Sequence, residues 1–136
     1  MGSTNYTSTF IQIADDCPVR AAERPPVDGK APTVAALQHA LISAHPYQFT
    51  SDDVLFEVYA TRHAIPAEAR GEAREKFFAK GQACLRSSPL GKRYGWGIHH
   101  DAHSRIALVP FGSDEYRSLA ADSSVKQLKA MRSKRA

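Results

Sequence analysis

Long apolar runs are missing from this chain of 136 residues. No stretch approaches the roughly 20 consecutive apolar residues that a membrane-spanning helix requires. The opening nine residues are polar and have neither the basic cluster nor the apolar run of an export signal. A cytoplasmic protein with no membrane partner is therefore expected. Cysteine is also scarce. Cys17 and Cys84 are the only two, too few for a small secreted domain stapled by disulfides, so two reduced thiols are expected. Internal repeats and low-complexity tracts are absent, which excludes solenoids and linkers. No clean alternation of strand and helix argues for a doubly wound parallel sheet.

What is present suits one folded core. Hydrophobic residues make up 43% and charged residues 24%, close to the average for globular domains, and the length permits a core without staples. The net charge of +4 and a pI near 9.2 raise the question of nucleic acid. The charge sits at one end. Lys126, Lys129, Arg132, Lys134 and Arg135 follow Val125 with no acid among them. These five cations exceed the net charge by one, so the preceding 125 residues carry −1. The expectation is a globular α+β domain over residues 1–122 and a basic C-terminal helix or tail over 123–136.

The local pattern supplies the elements. Thr7, Thr9, Phe10, Ile11 and Ile13 predict a first strand over 7–14. Residues 15–32, with Pro18, Pro25, Pro26, Pro32 and the Asp28 and Gly29 turn signal, predict a long irregular connection. Thr33 is placed to cap a helix whose stripe is Val34, Leu37, Leu41 and Ala44, and Pro46 ends it. Gln38 and His39 lie off that stripe and are expected to face solvent. Thr50, Ser51, Asp52 and Asp53 predict a helix over 52–63. The alternation of Val54, Phe56 and Val58 offers a strand instead, and the capping chemistry favours the helix.

A third helix follows Pro66 and stops at Gly81, with Glu72 in reach of Lys76. Ser113 starts a shorter helix through Ala121, and Ser123 or Ser124 caps a last one through Met131. Strands are predicted at 92–99 and 105–109, joined across His100, Asp101, Ala102, His103 and Ser104. The fold class expected is α+β, a small, largely antiparallel sheet of about three to four strands with helices packed against it.

Residues 84–99 hold the densest cluster of unusual side chains. On a strand, Tyr94, Trp96 and Ile98 share one face, and Arg93, Gly95, Gly97 and His99 share the other. Bare glycines admit a close approach, by a packed element or by a ligand. In the ligand reading Arg86, Ser87, Ser88, Lys92 and Arg93 hold a phosphate or carboxylate, Tyr94 or Trp96 forms a stacking wall, and His99 lies alongside. Gly91, Gly95 and Gly97 match neither a dinucleotide nor a phosphate-loop motif.

No metal and no cofactor are expected, because His99 and His100 point to opposite faces and no second ligand cluster supports them. Cys84 before Arg86 fits an activated thiol, and fits an ordinary buried cysteine better. The leading functional expectation is a domain binding a small anionic ligand through residues 84–99. Alternatives are a nucleic-acid accessory protein using Lys126, Lys129, Arg132, Lys134 and Arg135, or an interaction module without catalysis.

These residues also resemble an uncharacterised bacterial family, domain of unknown function 6157. The resemblance rests on Asn5, Tyr6 and residues 9–11, 16–18, 51–58 and 84–90, and above all on residues 92–99, with their run Tyr94, Gly95, Trp96, Gly97, Ile98 and His99. It spans almost the whole chain. It implies a bacterial, cytoplasmic, single-domain protein, and it brings no activity, cofactor or catalytic residue with it.

Overall fold

The computed structural model describes residues 3–27 and 32–133. The Asp28 and Gly29 turn signal and the tail residues Lys134 and Arg135 lie outside them. The elements run β1 (Thr9–Gln12), α1 (Val34–Ala44), α2 (Ser51–Arg62), α3 (Arg70–Ala79), α4 (Pro89–Lys92), β2 (Trp96–His100), β3 (Ile106–Pro110), α5 (Asp114–Ala120) and β4 (Lys126–Lys129). Short 3-10 turns at Ala67–Ala69 and Leu85–Ser87 precede α3 and α4. Among the described residues no helix is long and apolar enough to cross a membrane.

The four strands form one sheet in the order β3-β2-β1-β4. β1 pairs antiparallel with β2, with Phe10 opposite His99, and β2 pairs antiparallel with β3. β4 pairs parallel with β1, with Thr9 opposite Lys126. The sheet is therefore mixed but mostly antiparallel, and the α+β class holds. Both faces are covered. Ile11 and Ile98 share one face, toward α1 and α4, and Phe10 and Gly97 share the other, toward α5.

Capping chemistry sets the helix starts as expected. The Thr33 hydroxyl accepts from Ala36 N at the start of α1, and α2 begins with a full capping box between Thr50 and Asp53. The helix reading of this segment holds over the strand reading. Glu72 and Lys76 pair at 3.1 Å on α3.

Three expectations change. The predicted strand over 92–99 begins only at Trp96. Ser88 caps α4 by accepting from Leu90 N, Pro89 supplies a first turn, and Gly95 at φ +81° turns the chain into β2. The last predicted helix is instead strand β4, because its backbone completes the ladder on the open side of β1. Gln38 is not solvent-facing. It is 3% exposed, and the buried residues of α1 are Ala35, Gln38 and Ile42. Packing against α2, α4 and β3 turns the buried line one residue from the predicted stripe, leaving Val34, Leu37 and Leu41 half-buried and Ala44 exposed.

The bare glycine face is filled by protein. A Cβ at Gly97 would stand 2.7 Å from Phe10 Cζ and 2.9 Å from Tyr116 Cε2, and one at Gly95 would stand 2.6 Å from the Ala21 carbonyl oxygen. Gly95→Ala therefore meets both a backbone clash and a left-handed φ. It is expected to cost about 1–3 kcal/mol, read as a lower urea midpoint with an unchanged slope. A midpoint equal to wild type would mean that the 21–23 segment is not seated on β2.

Candidate functional site

The residues of the expected anion cluster at 84–99 have partners of several kinds. Arg86 is tied to the end of the sheet, its Nε donating to the Lys129 carbonyl at 2.7 Å and its own carbonyl accepting from Met131 N. Ser87 Oγ approaches Met131 Sδ at 3.2 Å. Lys92 ends α4, and Arg93 is exposed beyond it. Arg86, Lys92 and Arg93 form no ion pair among the described residues. The Tyr94 carbonyl accepts from Glu23 N, and Trp96 Nε1 donates to the Glu23 carbonyl. Trp96 also meets the His39 ring edge-on at 5.0 Å.

His99 lies on the opposite face from Trp96, with Nδ1 hydrogen-bonded to the Tyr47 hydroxyl at 2.8 Å. Burial lowers its pKa, against the pull of Asp101, Glu115 and Asp122. The segment thus serves two faces of the sheet and the chain end.

The basic strand divides in a similar way. Lys126 and Lys129 are three residues apart on β4 and point to opposite faces. Lys129 is paired with Asp15 at 2.8 Å. Lysines on an edge strand also discourage pairing with another chain. Both cysteines are free thiols, Cys17 buried and Cys84 half-buried, the latter accepting from the Tyr6 hydroxyl at 3.3 Å.

One residue of the segment leads to a cavity. Ser88 is buried, and besides capping α4 its hydroxyl donates to Gln38 Oε1 at 2.5 Å. A serine hydroxyl has one proton. That proton goes to Gln38, while the Leu90 amide proton fills an acceptor position on Ser88. Gln38 Nε2 is left with no hydrogen bond among the described residues. Nor is it sealed from solvent, because the fully enclosed unpaired polar side-chain atoms there are the two nitrogens of His100.

The space beside Gln38 is a cavity of about 180 Å³ between α1, α2 and α3. Val34, Leu55 and Val58 make its aliphatic wall, and Tyr59 and Phe77 its aromatic wall, with ring centroids 4.6 Å apart. Arg62 and His63, both exposed, stand at the rim. The His63 ring stacks on Tyr59 at 4.2 Å, and its Nδ1 bonds the Tyr59 carbonyl, so that nitrogen carries a proton. Behind Tyr59 and Phe77 lies a second cavity of about 600 Å³, rimmed by Lys76 and Lys80. An apolar cavity with one buried amide and a cation at its mouth has the composition of a small-molecule site.

Sequence reasoning missed this cavity. Gln38 reads as the polar side of an amphipathic helix, and Ser88 as one of the anion-binding residues of 84–99. Their pairing across 50 residues has no local signature.

His100 is a buried polar residue whose two ring nitrogens have no hydrogen bond among the described residues. It is fully buried in the core, its ring edge-on to Tyr6 at 5.4 Å. The Ile98 and Thr9 backbone carbonyls oppose its pKa shift but are too poorly placed to bond it. Burial dominates and lowers the pKa from 6.5 to about 4. The depressed value makes the unfolded chain the better proton acceptor between those limits. Stability is therefore complete above pH 6.5 and falls toward pH 4, by about 3 kcal/mol from this group. Urea midpoints should drop over that interval in wild type. His100→Phe, which removes two unsatisfied nitrogens from an apolar site, should flatten most of that slope and hold stability at pH 7. An unchanged slope would assign the acid transition to other groups.

Over residues 1–136 the chain matches a family of unknown function, DUF6157, and it belongs to that family. No curated protein and no solved structure matches it.

Proposed function

We propose that this member of the DUF6157 family is a binding domain for a small organic molecule, held in the cavity between α1, α2 and α3. The observation that carries the reading is Gln38. This residue, 3% exposed, lines an apolar cavity and keeps an amide nitrogen with no hydrogen bond among the described residues. Desolvating such a donor without an acceptor costs about 1–3 kcal/mol. A ligand that seals the cavity must therefore bring an acceptor, and this requirement selects among ligands of similar size.

A ligand that binds only the folded state raises its unfolding temperature. A panel of metals, nucleotides, sugar phosphates and small organic acids should contain compounds that do so. Gln38→Leu should reduce that rise, as Leu fills a similar volume without the donor. A flat panel, or a rise unchanged in Gln38→Leu, would overturn the reading.

Arg86 supports a second reading, an anion bound outside the cavity. Its guanidinium is oriented by the Lys129 carbonyl and has no carboxylate partner among the described residues. The same panel separates the two. A response lost in Arg86→Ala and kept in Gln38→Leu would place the ligand at Arg86.

A further inference from the structure

Resting on the cavity reading, we infer that the ligand is an aromatic carboxylate of about one ring, bearing a hydrogen-bond acceptor at the end away from its acid group. Size sets the first limit. An apolar cavity of about 150 Å³ takes a benzene molecule, so about 180 Å³ admits one ring with small substituents and no nucleotide. Shape sets the second. Tyr59 and Phe77 offer ring surfaces on one side and Val58 a branched aliphatic surface on another, a lining that suits a planar apolar body.

Charge sets the third limit, and here the cavity differs from its surroundings. The other arginines of this helical layer are paired, Arg70 with Glu57 and Arg74 with Asp53. Arg62 has no carboxylate partner among the described residues, and no acidic side chain lines the cavity. The last turn of α2 favours a cation where Arg62 stands, which fixes a positive charge at the mouth. The neighbouring cavity, which shares Tyr59 and Phe77, adds Lys80, while Lys76 there is paired with Glu72. A carboxylate at the rim meets the planar guanidinium, which suits it geometrically.

Depth sets the orientation. Gln38 is buried and Arg62 is exposed, so the acid lies outward and the acceptor lies inward on Gln38 Nε2. His63 is held flat against Tyr59 at the same rim, where it narrows the entrance beside the acid group.

The test uses the full chain, isothermal titration and four probes: 4-acetylbenzoate, its neutral amide 4-acetylbenzamide, benzoate without the inner acceptor, and acetophenone without the acid. The expected result is that 4-acetylbenzoate binds tightest, about tenfold or more above the amide and above benzoate, since one charge-assisted bond or one satisfied buried donor is worth roughly that ratio. Arg62→Gln, a change at an exposed site, should erase the preference for acid over amide and leave the preference for the acetyl group. Gln38→Leu should do the reverse.

Equal affinity for the acid and the amide would overturn the assignment of class, as would an acid preference that survives Arg62→Gln; the cavity itself would stand. Failure of all four probes, the neutral acetophenone included, would overturn the cavity reading with it.

Discussion

Three residues of β1, Thr9, Phe10 and Ile11, hold two kinds of pairing at once. β2 lies antiparallel on one side and β4 parallel on the other, and the Phe10 side chain, fully buried, fills the space over Gly97. The other structural choices accommodate that contact. Gly97 must lack a Cβ because the Phe10 and Tyr116 rings occupy its position. Tyr116 is anchored as its hydroxyl accepts from Ile13 N, just past the end of β1. Helix α5 is therefore locked to the same strand that carries Phe10, and the opposite face of β1 is left to Ile11 and the helical layer. The aromatic and glycine pattern of residues 94–99 is explained by this packing. Close approach there is by protein, with Phe10, Tyr116 and the Ala21 carbonyl as the approaching groups.

Ser88 is the hinge between this sheet and the helices above it. One hydroxyl caps α4 and orients Gln38 of α1, so the segment entering β2 also determines which amide atom faces the cavity. Replacing a buried hydrogen-bonded pair with two apolar groups of the same shape is nearly neutral in many proteins. Stability alone therefore gives little reason to retain a glutamine here with one end unengaged. The same logic separates Gln38 from His100. The histidine nitrogens are sealed, and no ligand reaches them. They lower stability in acid and do not form a site.

Charge is distributed with similar economy. Two of the five C-terminal basic residues, Lys126 and Lys129, lie on β4, where they point apart and Lys129 meets Asp15. A helix would have gathered them on one side, and the strand separates them. The cation that matters for the proposed site is a single arginine in the last turn of α2, distinguished by having no carboxylate partner among the described residues while Arg70 and Arg74 have theirs.

Local chemistry decided a definite share of this protein. The caps at Thr33, Thr50 and Ser113, the helical stripes and the β-branched run of β1 are short-range effects, written in residues three or four apart, and each element they imply is present. The tertiary structure decided the rest. The backbone at residues 126–129 became a strand because an unpaired edge of β1 was there to be satisfied, a demand that no window of local sequence contains. Gln38 turned inward because Ser88, 50 residues away, supplied its partner. The cavity is likewise a property of three helices meeting and not of any one of them. Periodicity and capping act within a turn of chain, whereas a binding site is made of long-range contacts, and those follow only once the core has closed.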